Sequence, residues 1–108
     1  MDNELAAKTL VHLNQLAMEE IRRQNYPHAI GYFTQSLVLE EKLGLKAQMA
    51  ESFYNMAGAY FLMEDYEQAL RKAQMAETIF KQEGKTEDTQ KTLDMIGEIE
   101  EKLAAQPE

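Results

Sequence analysis

Hydrophobic residues recur along the chain at spacings of three and four positions, in five stretches separated by short polar breaks. The first stretch runs from Leu5 to Ile21 and has leucine at positions 5, 10, 13 and 16. This spacing is close to the 3.6-residue period of an α-helix, so the stretch predicts an amphipathic helix. Because the other four stretches have the same character, the pattern predicts an all-α chain of about five helices.

The polar breaks contain residues that begin or end helices. Asp2 or Asn3 can cap the first helix, because either side chain accepts hydrogen bonds from free backbone N–H groups. Pro27 suits the first turn of the second helix, where its missing N–H costs nothing. Gly44 and Gly84 are expected to end the second and fourth helices in the left-handed conformation.

The remaining boundaries follow from the same signals. The third helix is expected from about Lys46 to Met63 and the fourth from about Tyr66 to Gln82. The acidic pair Glu64-Asp65 forms the break between them. Thr86 or Asp88 is expected to cap the fifth helix, because both residue types are good caps.

The chain is most similar to itself at a shift of about 40 residues, which is in the range of helical repeats. The coincident positions keep side-chain size even where identity is low, which indicates a repeated helix hairpin. In the first helices, the coincident small residues are Ala17, Ala57 and Gly97, and the coincident large ones are Leu13, Phe53 and Leu93. In the second helices, the coincident pairs are Tyr26 with Tyr66, Ala29 with Ala69, Ser36 with Ala76, and Gly44 with Gly84.

The most regular hairpin, from Phe53 to Gly84, resembles the tetratricopeptide repeat. The family's first helix has an aromatic or large residue, a leucine, a small residue and a tyrosine, and its second helix has a tyrosine and two alanines. The matching residues here are Phe53, Met56, Ala57, Tyr60, Tyr66, Ala69 and Ala76. Ala73 replaces an aromatic residue of the family pattern, Glu20 replaces the tyrosine in the first copy, and the family's proline is missing from both copies.

The resemblance covers residues 10 to 103 and implies an α-solenoid of antiparallel helix hairpins. We expect one domain over residues 1–108, with repeat 1 at about 10–44, repeat 2 at about 50–84, and a C-terminal half-repeat or capping helix at about 87–104. The period of about 40 residues exceeds the family's usual period of about 34 residues, which is typical of the longer variant of the repeat.

Composition narrows the range of partners. The chain has 108 residues, with a formal net charge of −8 and no cysteine. An acidic surface repels phosphate groups, so we expect neither nucleic acid nor an anionic membrane as a partner. No hydrophobic run approaches the length of a membrane span, and no secretory signal is apparent, so the expected location is cytoplasmic.

No set of residues predicts catalysis, a cofactor or a metal site. His12 and His28 fall on different predicted helices, which does not suit a metal site. No serine or threonine has a visible histidine and aspartate context, and no glycine-rich phosphate loop is present. The adjacent carboxylates at Glu19-Glu20, Glu40-Glu41 and Glu100-Glu101 point in different directions on a helix, so we expect them to be solvated.

The resemblance implies that the first helix of each repeat lines a concave groove that binds a peptide or partner segment. The groove positions in the second copy are expected to be aromatic or apolar, and those in the third copy acidic. The candidate partner-binding residues are Asn14, Met18, Ile21, Arg22, Tyr54, Asn55, Gly58, Phe61, Leu62 and Lys91. The third-copy positions are Asp94, Glu98, Glu101 and Lys102.

One branch of the family grips a terminal carboxylate with two lysines, two asparagines and an arginine. Asn55 and Lys91 stand at matching positions, but Asn14, Met18 and Met95 replace the other three. Two matches in five, on an acidic chain, argue against such a clamp.

Two functions therefore remain open from the sequence. The first is a non-enzymatic interaction module that holds a protein or peptide partner in the groove. The alternative is a self-associating structural unit, because apolar residues such as Met95, Ile99 and Leu103 at the end of a repeat array need cover. A different interpretation of the groove is that a neighbouring helix covers Tyr54, Phe61 and Leu62.

Overall fold

The computed structural model describes residues 2–107, which form five α-helices. Asp2 caps the first helix by accepting a hydrogen bond from the Glu4 N–H. Pro27 lies in the first turn of the second helix, as expected. The helices are α1 (Asn3–Arg22), α2 (Tyr26–Leu43), α3 (Lys46–Leu62), α4 (Tyr66–Gln82) and α5 (Thr86–Ala105).

The four turns between the helices share one geometry. Each turn contains a residue with positive φ, and the backbone N–H of the next residue donates to the carbonyl five positions earlier. This bond satisfies a carbonyl at the end of the preceding helix, as in a Schellman motif. The positive-φ residues are Gln24, Gly44, Glu64 and Gly84.

This shared turn explains why the expected cap of α5 is wrong. Lys85, not Thr86 or Asp88, is the N-cap residue, and it makes no side-chain cap bond. The Lys85 N–H donates to the Phe80 carbonyl at 2.9 Å, as the Leu45 N–H does to the Glu40 carbonyl. The turn after each glycine therefore fixes where the next helix begins, and the capping preference of nearby side chains does not.

Each helix packs mainly against the helices that precede and follow it in the chain. Alanine side chains are fully buried at Ala57, Ala69 and Ala76, where the sequence predicts close helix contacts. Small side chains at these positions let neighbouring helices approach, and Phe53 and Met56 fill the remaining space. The result is an elongated array of helix hairpins, which confirms the predicted all-α solenoid.

The third copy of the repeat packs differently from the first two. Leu93 is 42% exposed, although its counterparts Leu13 and Phe53 are buried, and Gly97 is also exposed. The buried residues of α5 are instead Thr92 and Ile99. Among the described elements, α5 packs chiefly on α4, whereas α3 packs on both α2 and α4, so one face of α5 remains uncovered.

Candidate functional site

Two clefts meet along α3. The N-terminal cleft lies between α1 and α3, with α2 as its floor, and has a volume of about 570 Å³. The C-terminal cleft lies between α3 and α5 and consists of two adjoining cavities of about 270 and 280 Å³, which share Tyr54 and Lys91. Glu51 and Asn55 of α3 line both clefts, so the two clefts form a continuous surface.

The floor of the N-terminal cleft contains a buried carboxyl group, that of Glu40, which was expected from the sequence to be solvated. Glu40 is only 2% exposed, whereas its neighbour Glu41 is exposed as expected. The Ser52 hydroxyl donates a hydrogen bond of 2.8 Å to Glu40 Oε1. The pKa of the Glu40 carboxyl is raised from 4.5 to about 7, chiefly by burial; the Ser52 hydrogen bond lowers the pKa, and the nearby charge of Glu51 adds a smaller increase.

The prediction of a solvated Glu40 is wrong because adjacency in sequence does not report which way a helix face points. A usable signal was present in the repeat. At the shift that superimposes one copy on the next, Glu40 is in step with Phe80 and Ser52 is in step with Thr92. Since all four positions are buried, the match with Phe80 was the sign that this glutamate belongs to the interior.

The same shift superimposes one cleft on the other and shows how they differ. Glu40 and Glu51 in the N-terminal cleft correspond to Phe80 and Lys91 in the C-terminal cleft. Asn14 likewise corresponds to Tyr54. The N-terminal cleft therefore has a buried glutamate at its floor, while the C-terminal cleft has a phenylalanine at the equivalent position and carries a lysine.

Of the four candidate residues predicted in the first copy, two line the N-terminal cleft and two lie outside it. Asn14 and Met18 line the cleft together with Asn55. The Ser36 hydroxyl of α2 donates to Asn14 Oδ1 at 3.5 Å. Ile21, by contrast, packs partly buried against the core, and Arg22 is paired with the carboxylate of Glu19 at the end of α1.

The predicted residues of the second copy lie mostly in the C-terminal cleft. Tyr54, Gly58 and Phe61 line it with Lys91, whose ammonium group lies 5.5 Å from the centre of the Tyr54 ring. Phe61 and Tyr66 meet edge to face, with ring centres 5.3 Å apart.

The aromatic row of α3, which consists of Tyr54 and Phe61 with Leu62 next to it, is unevenly exposed. Tyr54 and Phe61 are half-buried, whereas Leu62, at the end of α3, is 54% exposed. Neighbouring helices thus cover Tyr54 and Phe61 only in part.

Acidic residues of the third copy border the same cleft. Asp94 and Glu98 line it beside Met95, and Asp94 accepts a hydrogen bond from the Gln90 side chain at 3.0 Å. Glu101 and Lys102 are exposed further along α5. Within residues 2–107, no three histidine, aspartate or glutamate side chains lie close enough together to hold a metal ion. None of the described helices is both long and apolar enough to cross a membrane.

Comparison with solved structures identifies the same arrangement of helices in another protein. The crystal structure of the TPR domain of Arabidopsis FLU is similar to this chain, with a TM-score of 0.85. The similarity covers 92% of this chain and 83% of the FLU domain, at 16% sequence identity. At this identity the likeness establishes the fold alone. A search of curated protein sequences finds no match.

A family model gives the decisive sequence comparison. The model that describes the tetratricopeptide repeat matches residues 6–102, which is nearly the whole chain. This match agrees with the residues of the hairpin from Phe53 to Gly84 and with the helix order of the structure. Tetratricopeptide repeat domains generally mediate protein–protein interactions and serve as scaffolds without enzymatic activity. The chain belongs to the tetratricopeptide repeat family.

Proposed function

We propose that this chain is a non-enzymatic interaction module that binds a segment of a protein partner along the two clefts. The observation that carries the proposal is the position of Tyr54, which lines both cavities of the C-terminal cleft beside Asn55, the residue shared with the N-terminal cleft. An extended peptide that crossed α3 would contact both clefts at this point. Aromatic anchors at such central positions commonly carry a large part of binding energy.

Partial burial supports the use of this aromatic row as a binding surface. Tyr54 and Phe61 are held by their neighbours, Lys91 and Tyr66, while one part of each ring still reaches the cleft. A side chain that is already ordered loses little conformational entropy when a partner binds. The cleft therefore offers rigid aromatic contacts between polar and acidic rims.

The experiment begins with partner segments captured from the native host, and it measures their binding as synthetic peptides by calorimetry. Tyr54→Ala and Phe61→Ala should each weaken binding about tenfold, because the truncation of a central aromatic contact costs on the order of 1–2 kcal/mol or more. Met75→Ala on α4 is the matched control, since Met75 is 43% exposed and lies outside both clefts. Unchanged affinity in both cleft variants would rule out the groove.

Self-association is the second candidate, and the exposed face of α5 favours it. Leu93 is 42% exposed at a position where the other two copies of the repeat bury a large residue. A second copy of the chain could cover this face. Light scattering at micromolar concentration should then report a dimer that Leu93→Glu converts to a monomer. A wild-type protein that is strictly monomeric would exclude this candidate.

A further inference from the structure

The N-terminal cleft has a carboxyl group at its floor whose second oxygen has no protein partner. Among residues 2–107, the Ser52 hydroxyl is the hydrogen-bond donor to Glu40, and it reaches Oε1. No side-chain oxygen sealed from solvent lacks a partner in the described structure. Because Oε2 has no such partner, it is not fully sealed from solvent, and Glu40 is one of the residues that line the cleft.

The charged side chains that line this cleft among residues 2–107 are of one sign. The cleft is lined from α1 by neutral residues, which include Asn14 and Met18, and from α3 by Glu51, Ser52 and Asn55. Glu40 and Glu51 are the only charged residues among the described cleft residues. A buried carboxylate that has no cation beside it is costly, so a positively charged ligand would gain strongly from reaching it.

The second cleft, formed by the next copy of the repeat, shows whether the fold itself requires a glutamate at this buried position. The C-terminal cleft has the same helix arrangement, but it carries Phe80 and Lys91 in place of Glu40 and Glu51. The fold thus tolerates an aromatic residue at this buried position and a lysine at the rim. Glu40 lines the N-terminal cleft alone, whereas Glu51 stands at the rim that both clefts share. The N-terminal cleft, at about 570 Å³, falls within the range of ligand pockets.

We infer that the N-terminal cleft is a specificity pocket for a basic side chain of the bound partner segment, with Glu40 as the buried counter-charge and Glu51 as the rim charge. This inference rests on the proposed function, because the side chain is supplied by a segment in the groove. Arginine suits the pocket better than lysine, since a guanidinium group is more weakly hydrated and pairs with a carboxylate through more than one N–H. The amide side chains of Asn14 and Asn55 offer further acceptors at the wall of the cleft.

The test titrates isotope-labelled full chain at pH 8 with the pentapeptide acetyl-Leu-Ala-Arg-Ala-Leu-amide and follows backbone amide signals by NMR. The arginine peptide should shift the signals of Asn14, Ser52 and Asn55. A matched peptide with citrulline in place of arginine keeps the shape and removes the charge. It should bind about tenfold more weakly, which is the scale of a lost charge-assisted hydrogen bond. Equal binding of the two peptides, or no shift of cleft signals, would overturn the pocket.

Protein variants separate the pocket from the rest of the groove. Glu40→Gln keeps the side-chain shape and should bind the arginine peptide about tenfold more weakly, and Glu41→Gln is the exposed control. Glu51→Lys introduces the lysine that the C-terminal cleft has at the equivalent position, Lys91. Because Glu51 is exposed, this variant tests the charge of the N-terminal cleft even if the Glu40 variant is poorly folded. Wild-type affinity in Glu51→Lys, or in a folded Glu40→Gln, would contradict the inference.

Two outcomes distinguish this inference from the proposed function. A peptide that loses affinity in Tyr54→Ala but binds the Glu40 and Glu51 variants like the wild type would overturn the basic pocket and leave the groove intact. An arginine peptide that is insensitive to Tyr54→Ala but sensitive to Glu40→Gln would support the pocket and count against a joined groove. A lysine peptide that binds more tightly than the arginine peptide would overturn the preference for arginine.

Discussion

The hydroxyl of Ser52 donates a hydrogen bond of 2.8 Å to Glu40 Oε1 and thereby links α3 to α2 at the floor of the N-terminal cleft. Glu40 is 2% exposed, and burial raises its pKa from 4.5 to about 7. Among residues 2–107, the other charged residue that lines the cleft is Glu51 of α3, since the described residues of α1 there are neutral. The protonation state of Glu40 therefore affects both the stability of the fold and the charge of the N-terminal cleft.

The first prediction is that Glu40→Gln changes how stability depends on pH. Between pH 4.5 and about 7, the folded chain holds a proton on Glu40 that the unfolded chain has lost, so the free energy of unfolding decreases as pH rises through this window. Above pH 7 the full cost of ionising the buried carboxyl, on the order of 3 kcal/mol, is present. The variant lacks this cost, so it should be more stable than the wild type at pH 8 and similar at pH 4.5.

Urea denaturation from pH 4.5 to 8.5 measures this difference directly. Contributions to stability that the wild type and Glu40→Gln share cancel when the two proteins are compared. Glu41→Gln, which removes an exposed carboxyl from the same helix, should follow the wild-type curve. A stability difference between wild type and Glu40→Gln that does not vary with pH would show that Glu40 does not titrate in this window.

The second prediction concerns two glycines, one inside α2 and one in the turn after it, that have opposite roles. Gly44 has φ of +69° in the turn, so Gly44→Ala should destabilise the fold by roughly 1–2 kcal/mol, because the left-handed region is strained for alanine. Gly31 lies inside the helix, and a Cβ there meets no atom within 4 Å. Gly31→Ala should therefore stabilise the fold by roughly 0.5–1 kcal/mol, through the better helix propensity of alanine.

Thermal and denaturant unfolding of both glycine variants tests this pair. For a domain of this size, a change of about 1 kcal/mol moves the Tm by roughly 4–8 °C, so the two shifts should be resolved and opposite in sign. A Gly44→Ala protein as stable as the wild type would mean that the turn after α2 can re-form without a left-handed residue.

The third prediction locates the buried face of α5. Ile99 is fully buried against Ala57, Ala69 and Ala73, so Ile99→Ala should cost roughly 2–4 kcal/mol in lost burial and residual cavity. Leu93→Ala is the matched control on the same helix, because Leu93 is 42% exposed and should lose little stability. Calorimetric midpoints for the two proteins provide the comparison. Similar losses at both positions would show that Leu93 is covered in solution.

The fourth prediction uses the turns after α1 and α3, where positive φ is carried by Gln24 and Glu64 instead of glycine. Gln24→Gly or Glu64→Gly should relieve this strain and stabilise the fold by a few tenths of a kcal/mol to about 1 kcal/mol, since glycine enters the left-handed region freely. Chemical denaturation of each variant measures the effect. A clear destabilisation would mean that the greater freedom of glycine in the unfolded chain outweighs the relief of strain.

Most of the fold could be predicted because it depends on local and periodic properties of the chain. The helical spacing of hydrophobic residues predicts the helices, Gly44 and Gly84 predict the ends of two of them, and the buried alanines at Ala57 and Ala69 follow from the internal repeat. Helix contacts in this array join elements that are adjacent in the chain, so a pattern within each hairpin is sufficient to place its core.

The candidate site could be predicted only in part, because it depends on contacts between helices of different hairpins. From the sequence, the family resemblance predicted that Tyr54, Asn55 and Lys91 border one groove, and these residues line one cavity of the C-terminal cleft. Their contact with a partner stays a prediction. The repeat indicated that position 40 is interior, but only the tertiary structure decided that Glu40 bonds Ser52 at the floor of a cleft and that Leu93 is exposed. The reason is physical: whether a helix face meets protein or solvent depends on which neighbours exist on that side, and the repeat pattern is the same in either case.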